Sequence, residues 1–363
     1  MESREQALAT LSKAYQDGEL ALYLGAGVSV ASGLPTWEKL VLAMYFSALT
    51  KESLGGWRPF PNYLFAIAEW HLGGAHEPLE ITARKIRQYY ADDHVFLRHL
   101  RETLYAGFAP EYGSGEPGLN GGAIRGGNRT IDAVARICER RPGGHGAVNS
   151  VISYNYDNLL EVAVGGSCQP VFASVPLEPG KLPIYHVHGY VPFEGKASSP
   201  GGVVFTEEQY HLAAQDAYSW ANLVQIQCMS SSIGLMIGLS LSDRNMRRLL
   251  DAVSRTPIRT RNYAFLQEPK WLRPDVSELS AIDRKAREYI NRFESSGVKW
   301  RQQEHPPGMK GSGWQDQIIG ILDEVRRVDV VKQTSILEEL GIRPIWYKEH
   351  EEIPAILNSI SSD

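Results

Sequence analysis

The stretch from Leu20 to Trp37 constrains this chain more than any other. Leu20 to Leu24 are five consecutive apolar residues. That is the length and content of a strand buried on both faces in a parallel sheet. Gly25 and Gly27 follow at once, then Ser29, Ser32 and Gly33, and Pro35 interrupts the chain before a helical pattern opens at Trp37. A strand, a glycine turn and a helix start together form the unit with which open α/β sheets hold a pyrophosphate. The same unit also serves as a plain tight turn, and the two glycines alone do not separate these readings.

The remainder of the chain agrees with an α/β protein. Val151–Tyr154, Leu182–Val187, Ile233–Ile237, Asn262–Leu266 and Ile342–Tyr347 read as further strands. Pro344 places the last of them at a sheet edge. Ser3 with Gln6 predicts a capping box, with Leu8, Leu11 and Tyr15 on one helical face and Gly18 at the end of the helix. A second helix is predicted over Trp37–Leu49, one over Trp220–Met229 and a closing one over Glu351–Ile360. Residues 51–147 read as a helical insertion, with helices near Asn62–Leu72, Glu77–Tyr90, Asp93–Tyr105 and Thr130–Arg140. Within it, Tyr112–Arg129 is glycine-rich and reads as a mobile loop, either a tolerated surface segment or a lid. Residues 269–340 are mostly polar and helical, with a Pro/Gly-rich break over His305–Gly313.

The expected architecture is one domain with a three-layer Rossmann-like parallel sheet. Its core comprises residues 1–50 and 148–268 with 341–363; its additions are the insertion 51–147 and the segment 269–340. Hydrophobic content of 43% and charged content of 22% suit a globular protein. The net charge of −5 leaves no footprint for nucleic acid. No apolar run would span a bilayer, and no signal-peptide core opens the chain. The three cysteines, Cys138, Cys168 and Cys228, have neither disulfide nor metal spacing, so a cytoplasmic protein with three small core cysteines is expected.

Polar residues punctuate the strand ends. Asn155 and Asp157 follow the strand at Val151–Tyr154, where ligands bind in open α/β sheets and where helix caps also sit. His188 follows a strand and precedes Gly189, which would expose its ring to a cleft; a histidine in an apolar setting can equally be a bonded core residue. His186, two residues earlier, would share the face of His188 in a regular strand. Gly238-Leu239-Ser240 is a second glycine turn after Ile237, and Asp243 suits either a ribose hydroxyl or a helix cap.

Four segments in order resemble the sirtuin-like family: Gly25–Pro35, Ser153–Glu161, His186–Tyr190 and Gly238–Asn245. They look most like its prokaryotic NAD-hydrolysing, antiphage-defence branch. The resemblance implies that the substrate is NAD, held through Gly25, Ala26, Gly27, Ser29, Pro35, Trp37, Gly238, Ser240 and Asp243. It also implies that Asn155, His188 and Asp157 act on the nicotinamide ribose. Deacetylase sirtuins carry a zinc ribbon made of two cysteine pairs. No such pairs exist here, so no metal is expected.

The implied activity is an NADase that yields nicotinamide and ADP-ribose and depletes NAD during abortive infection. Such enzymes are held off by assembly or by a partner, so a homo-oligomer and a separately encoded regulator, such as a HerA-like hexameric ATPase, are expected. Neither membrane nor direct nucleic-acid binding is expected. Two other readings stand beside this one. The first is a zinc-free NAD-dependent deacylase or ADP-ribosyltransferase, and the second is a non-catalytic nucleotide-sensing or assembly module.

Overall fold

The computed structural model describes residues 2–54, 78–108, 119–139, 147–199, 202–256, 261–269 and 314–361, with positions 274–275, 277–282, 284–285 and 288. The expected helix near Asn62–Leu72 and the break over His305–Gly313 lie outside them. The chain forms two compact units, residues 1–267 with 339–363, and residues 268–338.

The first unit is built on a seven-stranded, all-parallel sheet. Its strands are β1 (Leu20–Leu24), β2 (Val148–Ser153), β3 (Cys168–Val171), β4 (Leu182–His186), β5 (Ile233–Ile237), β6 (Asn262–Gln267) and β7 (Ile342–Tyr347). Their order is β3-β4-β2-β1-β5-β6-β7. β1 is central and buried at all five positions, as its apolar run predicts. Leu20, Leu22 and Leu24 join the main core with Ala7 and Leu11 of the first helix, Arg4–Gln16. Tyr23, on the opposite pleat, lies near Cys228 and Tyr154. The capping box of Ser3 and Gln6 starts that first helix. β7 pairs with β6 alone, so Pro344 lies in an edge strand.

Chain direction across the sheet defines the site. After β1 the chain passes to β2 on one side, and after β5 it passes to β6 on the other. The carboxyl ends of β1 and β5 therefore flank a topological switch point, where open α/β sheets bind ligands. The helices Trp220–Ser231 and Arg244–Ser254 pack against each other, as do Arg4–Gln16 and Glu352–Ser361.

One strand is added and two local expectations are corrected. β3 is an edge strand that the sequence pattern does not announce: it has four residues, and Pro170 lies within it. The reading of Tyr112–Arg129 as a mobile loop fails over its described part, because Gly121–Gly127 is a helix capped by Asn120. Ile124 there is fully buried. A Cβ at Gly121 would stand 2.4 Å from the Val162 carbonyl oxygen, so this glycine permits close packing on the helix Leu159–Val164. The second correction concerns β4. It ends at His186, one residue earlier than expected, and Gly189 N–H closes a turn onto the His186 carbonyl at 3.2 Å. His186 and His188 therefore do not share a strand face.

In the second unit the long helix Trp314–Glu339 contributes most of the described residues, and Arg327 pairs with Glu324 along it at 2.7 Å. Among the described residues no helix is long and apolar enough to cross a membrane.

Candidate active site

The two glycine turns pack on each other at the switch point. Gly25 N–H donates to the Ile237 carbonyl and Gly27 N–H to the Gly238 carbonyl, both at 3.0 Å. A Cβ at Gly27 would lie 2.7 Å from Gly238 Cα, and one at Gly25 would lie 2.4 Å from Gly238 O. These glycines are thus required by backbone-to-backbone packing before any ligand arrives. Val28 and Ser29 N–H groups close short turns on Gly25 and Ala26. Among the described residues, Ala26 N–H makes no such backbone bond and is the donor left over in this turn.

Asn128 secures the far side of the turn. Its side chain donates to Val28 O and Ser32 Oγ, both at 2.9 Å, while its Oδ1 caps the helix Arg129–Cys138. It is fully buried, although nothing in the surrounding sequence marks it as more than a loop residue.

The segment after β2 supplies a buried polar relay. Asn155 Nδ2 donates to Gly25 O at 3.0 Å and reaches Ser29 Oγ at 3.4 Å. The Ser29 hydroxyl donates to Asp157 Oδ2 at 2.9 Å, and Leu159 N–H donates to Asp157 Oδ1 at 3.1 Å. Burial pushes the Asp157 carboxyl up to about 6, against the opposing pull of those two donors. A small cavity lined by Ser29, Asn155, Asp157 and Glu161 sits at the lower limit for a single water.

The two histidines diverge. His186 is buried, with Nδ1 3.0 Å from the Asn155 carbonyl and Nε2 2.5 Å from Glu161 Oε1. Both partners accept, so both ring nitrogens donate, which is the imidazolium form. Burial alone would lower its pKa, but Glu161 and the Asn155 carbonyl outweigh it and the net shift is upward.

His188 turns the other way. Its Nε2 lies 3.3 Å from Asp243 Oδ2, an ion-pair contact, and among the described residues no hydrogen bond holds either ring nitrogen. Tyr154 and Tyr210 meet its ring edge to face, at 5.1 and 5.7 Å between centroids. Burial lowers its pKa and the Asp243 charge only partly offsets this, so it is neutral at pH 7.

The remaining candidates are distributed around this centre. Trp37 meets Tyr210 edge to face at 6.3 Å and so belongs to the same aromatic wall as His188. Pro35 precedes it at the head of the helix Trp37–Leu54. Gly238 is in the glycine-turn contact. Ser240 is exposed, its hydroxyl bonded to that of Ser242 at 2.7 Å, and it joins none of the groups around Asn155 or His188. Asp243 caps the helix Arg244–Ser254 through Met246 N–H and also faces His188. That second partner is invisible in the sequence, where the two lie 55 positions apart.

Residues 149–293 match the family described as the SIR2-like domain. The chain carries a SIR2-like domain. The match runs from β2 past β6 and includes Asn155, Asp157, His188, Gly238, Ser240 and Asp243. The glycine turn after β1 lies before it. No curated protein matches the chain. A SIR2-like domain implies an NAD-related activity and a site for NAD. Among the described residues, no group of three or more His, Cys, Asp or Glu side chains is placed to hold a metal ion. Cys138, Cys168 and Cys228 are buried free thiols.

Proposed function

We propose that the SIR2-like domain hydrolyses the nicotinamide–ribose bond of NAD, giving nicotinamide and ADP-ribose. The observation that carries this reading is a neutral His188, its ring free of hydrogen bonds among the described residues, past the carboxyl end of β4, with Asn155 past the carboxyl end of the paired strand β2. The leaving group is a pyridinium that departs neutral, so no acid is needed to expel it. The transition state resembles an oxocarbenium ion, as in glycoside cleavage. The protein must hold the ribose, place a water and stabilise positive charge.

In this reading Asn155 offers Oδ1 to a ribose hydroxyl or the water, since its amide is fixed on Gly25 O. His188 Nδ1 takes the proton as the water oxygen bonds to the anomeric carbon and the carbon–nitrogen bond breaks. Asp157, anionic at pH 7 and buried, supports the cationic sugar electrostatically. The Ala26 N–H, which makes no backbone hydrogen bond among the described residues, lies at the switch point between β1 and β5 and suits the pyrophosphate. The resemblance to the antiphage branch extends the proposal to NAD depletion in infected cells, restrained by self-assembly or a HerA-like ATPase partner.

Purified chain incubated with NAD alone is expected to give nicotinamide and ADP-ribose, resolved by chromatography. Turnover that appears only with an acylated peptide would assign the deacylase chemistry instead.

A further inference from the structure

We propose that Asp243 is a positioning residue for His188, fixing its tautomer so that Nδ1 is the basic atom. This rests on the NADase reading for its kinetic consequence but not for its structural one. Three observations carry it. The first is orientation. An ionised carboxylate only accepts, so the ring nitrogen that faces it, Nε2, is the one favoured to hold the proton. The neutral ring then has its lone pair on Nδ1.

The second observation is what holds the carboxylate. Asp243 Oδ1 accepts from Met246 N–H at 2.7 Å at the head of the eleven-residue helix Arg244–Ser254. A helix N-terminus favours a negative charge, which suits a carboxylate at this position. One oxygen anchors the residue and the other faces the histidine. The ribose role expected for Asp243 would compete with both.

The third is the loop that aims it. Leu241, buried two residues earlier, has φ +57°, the one non-glycine positive φ among the described residues. Arg247 holds that residue's carbonyl through a hydrogen bond of 3.2 Å. A strained backbone kept in place by its own helix is how a side chain is held in a fixed direction. The other titratable groups facing His188 are Tyr154, after β2, and Tyr210, in the helix Glu207–Gln215. Burial pushes both phenols upward, so neither changes charge near neutrality.

The test is Asp243→Asn in the full chain. Asparagine caps a helix as well as aspartate does, so the fold is retained. Nicotinamide release is expected to fall about 10²-fold in kcat with KM for NAD little changed. The acid limb of the pH–rate profile is expected to move to lower pH, because the anion that supports protonation of His188 is gone. Nitrogen-15 NMR of the imidazole supplies a readout that needs no turnover. Wild type is expected to show the Nε2–H tautomer of His188, and Asp243→Asn a mixed tautomer with a lower pKa. Asp243→Glu is expected to restore part of the tautomer preference. A raised KM with unchanged kcat would make Asp243 a ribose contact and overturn the proposal. So would an unchanged His188 tautomer and pKa in Asp243→Asn. If no chain cleaves NAD yet the tautomer responds as stated, the NADase reading fails and the positioning role stands.

Discussion

His186 and His188 are separated by one residue, and each meets one carboxylate, yet their environments drive them to opposite charge states. His186 is closed in between Asn155 O and Glu161, with both nitrogens spent. His188 makes an ion-pair contact with Asp243 at a longer distance, and among the described residues neither of its nitrogens is held by a hydrogen bond. The first is a buried cation and the second a buried neutral base. The difference originates in the backbone: β4 stops at His186, and the chain turns from His186 to Gly189, so His188 lies inside the turn and not on the strand face. A carboxylate beside a histidine therefore identifies neither a catalyst nor a structural pair. What separates them is whether the ring nitrogens are spent in hydrogen bonds.

The largest structural effect that could break this contrast is at His186. His186→Ala leaves Glu161 without its partner in the interior, and removing one half of a buried pair costs about 3–5 kcal/mol. Thermal or denaturant unfolding measures it. The double variant His186→Leu with Glu161→Met is expected to regain most of that loss, since a packed apolar pair replaces the ions. A His186→Ala protein as stable as wild type would show that the pair does not hold the site together.

A somewhat smaller effect sharpens the same picture at Asp157. Its carboxyl titrates near 3.8 unfolded and about 6 folded. Between these values the folded chain holds a proton that the unfolded chain has lost. Stability therefore falls as pH rises from about 4 to 6, by on the order of 3 kcal/mol, and the loss is complete above 6. Asp157→Asn removes the titration, so its stability is expected to gain on wild type across that window. Parallel stability curves for the two proteins would show that Asp157 ionises normally in the fold.

Much of this architecture is legible in the sequence, and the reason lies in particular residues. Leu20–Leu24 and Ile233–Ile237 are apolar runs bounded by glycine, and both are central strands with the expected limits. β3 is missed because four residues containing Pro170 show neither alternation nor an apolar run. The helix Gly121–Gly127 is missed because glycine content suggests mobility, whereas Gly121 serves a close approach. At the site, types and places are readable but partnerships are not. Ser29 with Asp157, Asn128 with Val28, and His188 with Asp243 join residues far apart in the chain. Only the crossing of the sheet brings them together. The face of His188 is also unreadable, since a strand end shifted by one residue reverses it.

The measurement that bears most directly on the proposed activity is nicotinamide release from NAD by wild type and by His188→Ala, at equal nucleotide occupancy and with no acceptor added. Wild type is expected to release nicotinamide, and His188→Ala to do so about 10²–10⁴-fold more slowly, with unfolding temperature and nucleotide affinity retained. A folded His188→Ala protein that releases nicotinamide near the wild-type rate would contradict the account.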